Sequence, residues 1–325
     1  MDPTDVRRLK KMSSFNRVGG RYGMHSGSGK FKDLQVTGSA WVNGMPLFPT
    51  YGDVWFVDNS VDSNGDGRSW ATACNTITNG IANASAGDTV LVRGTGTDYD
   101  ESATIAYAKD SLTIQGVGNT KQCGWTADTD ATCLTVNAPG CTISNLYFRM
   151  DGATSGQGIL LDQNTDLTVD SSNVVIENCL FKSTGTTAYC GIRTSGSDYV
   201  TIRNNMFTWV LTGIRGDGAS GYHNSYCTNW QIHDNYFSDK CTNGIIIASR
   251  RSDIQNNVFS TMTICIDMGD TRTTTGFNEV HYNMFTQAYA AAGMAAAADD
   301  DWTRNTAASG TNVSIELWTT GAASD

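Results

Sequence analysis

From Ile143 onward one pattern of apolar and polar positions recurs. ISNLYF ends at Phe148, IENCLF at Phe181, IRNNMF at Phe207, IHDNYF at Phe237, IQNNVF at Phe259 and VHYNMF at Phe285. The phenylalanines lie 33, 26, 30, 22 and 26 residues apart, an irregular spacing that stays near one period. A second mark sits between the copies: Gly158-Ile159, Gly191-Ile192, Gly213-Ile214 and Gly244-Ile245, with Cys265-Ile266 at the last. From each Phe to this mark there are 10, 10, 6, 7 and 6 residues, whereas the gap from the mark to the next copy varies from 10 to 19. One side of the unit is tight and the other takes insertions. That is solenoid behaviour, because each unit buries its apolar residues only against its neighbours and insertions escape to one face.

The local period selects the kind of solenoid. Val174-x-Ile176 and Val200-x-Ile202 alternate with period two, which is strand, and nothing between the copies has helical spacing or the fixed leucines of a leucine-rich repeat. The prediction is a parallel β-helix with strands stacked roughly 4.8 Å apart. Ile202, Met206 and Phe207 then stack inside with their counterparts. Asn205, Asn235, Asn257 and Asn283 form a column that holds a tight, left-handed turn and hydrogen-bonds from rung to rung, and the Arg203 position alone faces out. Ahead of the repeats, Asp53 to Val57 and Gly87 to Val92 read as strands, and Cys74 to Ala86 has the spacing of a short amphipathic helix on Ile77, Ile81 and Ala84.

That opening, with Tyr99-Asp-Glu101 after it, resembles the first coil of pectate-lyase-like right-handed β-helix proteins, in which a helix covers the open end. The resemblance spans residues 51 to about 287 and implies a right-handed coil. The expected fold class is all-β, a single-stranded right-handed parallel β-helix with an N-terminal arm and a short helical cap. Its expected parts are a basic arm and docking strand over 1–50, the β-helix over 51–287 and a C-terminal cap over 288–325. In the last part, 288–298 reads as a short helix or small-residue plug and Asn312 to Trp318 as a final strand.

Composition agrees with strands and turns: glycine is abundant at 34 and proline scarce at 4. Charge adds a division. The net charge is −10, yet Arg7, Arg8, Lys10, Lys11, Arg17, Arg21, Lys30 and Lys32 against Asp2, Asp5 and Asp33 leave residues 1–33 at +5 and the remainder at −15. A basic arm on an acidic body points to an anchor on an acidic surface. The first 30 residues have charges but no apolar core segment, and no window approaches the ~20 apolar residues that span a bilayer, so neither a secretory signal nor membrane insertion is expected. The nine cysteines form no close CxxC pair and read as reduced, buried hydrophobes.

Candidate chemistry is sparse. Asp162, Asp217, Asp234, Asp239, Asp267 and Asp270 lie in or near turns, where two could face one groove as acid and base. Polygalacturonase-like motifs reduce to Asn164-Thr165-Asp166, since Asp299-Asp300-Asp301 is misplaced and the His and Lys motifs are missing; the arginine motif of pectate lyases is missing too. Arg193 and Arg215 follow the Gly-Ile mark in neighbouring coils and could stack as a basic pair. Asp62, Asn64 and Asp66, with Gly67 following, match the start of an EF-hand loop and are candidate calcium ligands, although Ala73 stands where the last ligand should be. No other cofactor is indicated. His25, His223, His233 and His281 are too scattered for a metal site, and no feature indicates specific nucleic-acid recognition.

Phe31 to Gly44 is an alternating stretch ending in a turn, placed between the arm and the coil. Such a segment ahead of a β-helix resembles virion surface proteins of tailed bacteriophages. That resemblance implies a homotrimer made in the host cytoplasm and displayed on the virion surface, as a capsid decoration or head spike. The partners it implies are a major capsid or other virion protein, gripped by the eight basic residues of the arm, and host surface polysaccharide. The alternative is a tailspike-type depolymerase, a glycoside hydrolase or lyase; the missing motifs tilt the reading away from an enzyme.

Overall fold

The computed structural model describes residues 41–42, 45–46, 52–128, 130–150, 156–163, 169–183, 188–216, 227–238, 240–260, 262–267, 278–285 and 306–307. The basic arm, Asn164-Thr165-Asp166, Asp217, Asp239, Asp270, and the predicted 288–298 helix and Asn312–Trp318 strand lie outside the described residues. The chain divides into two compact units, Met1–Thr50 and Tyr51–Asp325. In the first, Trp41–Val42 and Met45–Pro46 pair antiparallel.

The second unit is a parallel β-helix. Three sheets run along it, each with its strands in chain order: among the described residues, two have nine strands and one has seven. The first sheet begins with Val54–Val57 and Thr89–Arg93 and ends with Glu279–His281. The second runs from Tyr99–Asp100 through Tyr147–Met150 to Met284–Phe285, with Thr306–Ala307 as a further rung. The third runs from Ala103–Ile105 to Ile264–Asp267.

Every repeat found in the sequence is one rung. Ile143, Ile176, Ile202, Ile232, Ile254 and Val280 are in register in the first sheet and buried. Phe148, Phe181, Phe207, Phe237, Phe259 and Phe285 are in register in the second, with ring centroids 4.8–5.3 Å apart. Trp125 starts this stack, 5.6 Å from Phe148. The Gly-Ile mark gives the stack its room. A Cβ on Gly213 would lie 2.6 Å from the Phe237 ring, and Gly158, Gly191 and Gly244 meet Phe181, Phe207 and Phe259 in the same way.

Two details of the predicted rung differ. Met206 points outward and is exposed, as are its register partners Tyr236 and Met284, because it directly precedes the inward Phe207 and successive strand residues face opposite sides. The Arg203 column is therefore one of several that face out. The left-handed corner also falls one residue earlier than expected, at Asn145, Asn178, Asn204, Asp234, Asn256 and Tyr282, all with φ of 54–58°. The following asparagine makes the ladder instead. Asn235 Oδ1 accepts from Asn205 N at 3.0 Å and Nδ2 at 3.1 Å, and Asn235 Nδ2 donates to Ile202 O at 2.8 Å. The same bonds recur from Asn235 to Asn257 and from Asn257 to Asn283.

The open end is covered by the helix Ile77–Asn83, which buries Ile77 and Ile81. Coil residues hold both of its ends. Glu101 accepts from Ile77 N at 2.7 Å and Thr78 N at 2.8 Å, and Lys109 Nζ donates to Ala82 O at 3.1 Å and to Ala84 O. No described helix is long and apolar enough to cross a membrane.

Candidate functional site

With the interior filled by ladders, chemistry on the described surface is confined to outward columns and corners. On the second sheet, Tyr147, Leu180, Met206, Tyr236, Val258 and Met284 form one outward column in register. Met206, Tyr236 and Met284 are 41%, 40% and 48% exposed whereas Leu180 is buried, so the column is an apolar and aromatic stripe open to solvent from Met206 onward. Beside its N-terminal end runs a second outward column, Arg149, Lys182 and Thr208.

Arg149 and Lys182 border a cavity of about 390 Å³ whose other lining residues are Gly96, Asp98, Lys121, Tyr147 and Ser183. Asp98 ion-pairs with Arg149 across 51 residues of sequence. Its carboxylate occupies the space over Gly124, where a Cβ would lie 1.9 Å from Asp98 Oδ1, so a side chain there would displace the carboxylate. Asn59 Nδ2 fixes the same corner by donating to Thr97 O at 3.0 Å and Asp98 O at 3.3 Å. Among the described residues, Lys121 and Lys182 have no carboxylate partner. Burial pushes the Tyr147 hydroxyl up, with Arg149 pulling it down and Asp98 pushing it further.

A second constellation lies on the first sheet. His233, Gln255 and His281 are in register in one outward column, and Gln231, Asp253 and Glu279 in the next. His281 Nε2 is 3.2 Å from Gln255 Oε1 and 3.5 Å from Asp253 Oδ1, and Gln255 Nε2 donates to Asp253 Oδ2 at 2.9 Å. Burial raises the Asp253 carboxyl above its ordinary value and Glu279 adds to this, while the charges of His281 and His233 oppose it. A carboxyl raised above its ordinary value, one rung from a second carboxyl, has the makings of an acid–base pair.

The residues singled out by sequence are dispersed. Asp162 accepts from Gln163 N at 3.0 Å and Ser195 Oγ at 2.9 Å after a third-sheet strand, Asp234 pairs with His233 at 2.7 Å at a corner, and Asp267 lies on the last described rung of the third sheet. Arg193 and Arg215 do come into register on the third sheet. In the candidate calcium loop, Asp62 is exposed, Asn64 Oδ1 accepts from Asn75 N at 3.3 Å, and Asp66 Oδ1 accepts from Arg68 N at 3.0 Å and Thr72 Oγ1 at 2.5 Å. These bonds occupy two of the three expected ligands with closing the turn. Among the described residues no group of three or more His, Cys, Asp or Glu is placed to hold a metal ion. Asp98, Lys121, Arg149, Lys182, Asp253 and Glu279 were invisible to motif reasoning, since only the coil brings them together. The available signal was the outward position itself, read copy by copy.

A family model described as "Right handed beta helix region" matches residues 127–322, more than half of the chain. Among solved structures, the chain is similar to an alginate lyase from Paenibacillus sp. str. FPU-7, at 12% identity over 72% of this chain and 95% of that one, with a TM-score of 0.45. It is also similar to Escherichia coli YbhC, at 10% identity over 86% of this chain and 81% of that one, with a TM-score of 0.46. No curated protein sequence matches it.

Proposed function

Taking as premise that this chain belongs to the right-handed β-helix family, we propose that it is a virion surface protein of a tailed bacteriophage. In this reading it is a homotrimeric capsid decoration or head spike, made in the host cytoplasm, anchored by its basic arm and retaining host glycan without cutting it. The observation that carries the reading is the division of charge: +5 in residues 1–33 joined to a body of −15. Opposed charges on one chain suit a segment that docks on an acidic shell while the body projects away from it. The ladder-filled coil supports the same reading, because a rod fixed rung by rung presents its outward columns at constant spacing.

The test is particle assembly with the protein lacking residues 1–33. The expected result is a soluble, cooperatively folding β-helix that is missing from purified particles. Truncated protein retained on particles at wild-type occupancy overturns the anchor.

A second reading, a polysaccharide depolymerase, is favoured by one observation, the raised Asp253 carboxyl beside Glu279 and His281. Incubation of purified protein with surface polysaccharides decides it. Glycan shortening that Asp253→Asn abolishes would establish cleavage, and intact glycan would leave the binding role.

A further inference from the structure

We infer that the cavity on the second sheet is a binding site for an acidic saccharide, with a sugar carboxylate or sulfate seated among Lys121, Arg149 and Lys182 and the rings lying along the Tyr147 end of the apolar stripe. The inference deepens the glycan-retaining part of the proposed function and rests on that reading only for where the saccharide comes from.

Three observations converge on it. The first is charge: three cations and one carboxylate share a cavity of about 390 Å³, on a chain whose body is otherwise acidic. Arg149 and Lys182 are direct register neighbours, and the one carboxylate of the cavity, Asp98, pairs with Arg149 alone, so Lys182 and Lys121 are left for an anion. The second is construction. Asp98 reaches Arg149 only because Gly124 leaves its carboxylate room and Asn59 holds its backbone, so one guanidinium edge is fixed and the others are left for a ligand. The third is continuity. Tyr147 belongs both to the cavity and to the column that leads, past the buried Leu180, to the exposed Met206 and Tyr236, and an aromatic beside a cationic pocket suits a ligand with an apolar ring face and a charged substituent. A neutral glycan would leave Lys121 and Lys182 without a counter-charge, and a bare inorganic anion would make no use of the stripe.

Asp98 is a positioning residue in this scheme, and that makes the site separable from a diffuse basic patch. The experiment is calorimetric titration of the purified full chain with a uronic-acid oligosaccharide, a sulfated oligosaccharide and a neutral oligosaccharide of equal length. One or both acidic ligands should bind, more weakly as salt rises, and the neutral one should not. Lys182→Gln and Lys121→Gln should each weaken binding about tenfold, the order of one charge-assisted hydrogen bond. Asp98→Asn should also weaken it, although it raises the local positive charge, because Arg149 loses its fixed orientation. Unchanged thermal midpoints and an unchanged Arg203→Gln control on the first sheet confirm that the fold is intact.

Failure of both acidic ligands to bind overturns the inference, as does binding that survives the double lysine variant. Tighter binding by Asp98→Asn overturns it as well, since that is what a diffuse patch would do. Particle assembly is read independently: if the arm deletion behaves as expected while no acidic ligand binds, the virion role stands and this site falls.

Discussion

Asp253 shows how much a single rung position can carry. Its neighbours are Glu279 and Gln231 in its own column and Gln255, His281 and His233 in the next, so one carboxyl meets burial, like charge and opposite charge together. Burial dominates and the folded-state value is raised. A carboxyl raised in this way keeps its proton in the folded state over a range where the unfolded chain has lost it. Stability therefore declines as pH climbs from the unfolded value near ~3.9 through the raised folded value, and the loss persists above it. Asp253→Asn should then be the more stable protein at neutral pH, with its advantage shrinking as pH falls towards 3. Denaturation midpoints measured on both proteins across pH check this. An advantage that grows on acidification would mean that the histidine charges outweigh burial. None of this could be read from the sequence, in which Asp253 belongs to no motif and, Gln255 apart, acquires its partners from neighbouring rungs 20–28 residues away. The same holds for Asp98 and Arg149, which join across 51 residues. Interior residues were legible for the opposite reason, since Ile202 and Phe207 repeat their identity as well as their place. Met206 misled because it is apolar, although its place beside Phe207 already set it on the outer face.

At the scale of the element, the asparagine ladder ties the corner between the first and second sheets. Each internal member serves three rungs: Asn235 binds Asn205 on one side, Asn257 on the other, and the carbonyl of Ile202. Its amide is fully buried, so no water stands ready to replace these bonds. Asn235→Ala leaves the Asn205 N–H, the Ile202 carbonyl and the Asn257 oxygen short of partners, and at about 1–3 kcal/mol for each buried group left unsatisfied the expected loss is ~3 kcal/mol or more. Asn205, the first member, accepts a single bond, from Cys179 N at 2.9 Å, where Asn235 accepts two, so fewer bonds depend on it. Asn205→Ala should cost less than Asn235→Ala. Equal losses from urea denaturation of the two variants would show that the ladder is a row of independent turns rather than a coupled element. The column was legible in the sequence because the second asparagine repeats. Its exact task was not, because the neighbouring Asn204 position is also rich in asparagine and takes the left-handed corner, leaving Asn205 for the ladder. The cap helix was legible from its Ile77 and Ile81 spacing, whereas Glu101 and Lys109 as its end groups depend on how the coil returns.

Across the whole molecule, the cysteines report on how the rungs hold together. All nine are free and buried, and they are spread along the coil from Cys74 to Cys265. Burial pushes the thiols of Cys133, Cys141, Cys179 and Cys265 up to about 12, so very little thiolate exists at neutral pH even where a reagent gains access. Native protein should therefore resist a thiol-labelling reagent at pH 8, and full denaturation should release nine reactive groups. The order of release between these limits is the informative part. In a solenoid each rung is stabilised by its neighbours, so a rung with one neighbour opens at lower free energy than one enclosed on both sides. Cys141 leads into Thr142–Ser144, which is enclosed by Thr113–Val117 and Val175–Glu177, and Cys179 leads into Leu180–Ser183, which is enclosed by Tyr147–Met150 and Met206–Thr208. With a neighbour on both sides, and with Phe148 stacked on Phe181 between them, the two should become reactive over the same range of denaturant, as mass spectrometry of labelled protein would read. Labelling of one well before the other would mean that neighbouring rungs open independently, and that the phenylalanine stack fills the interior without coupling it.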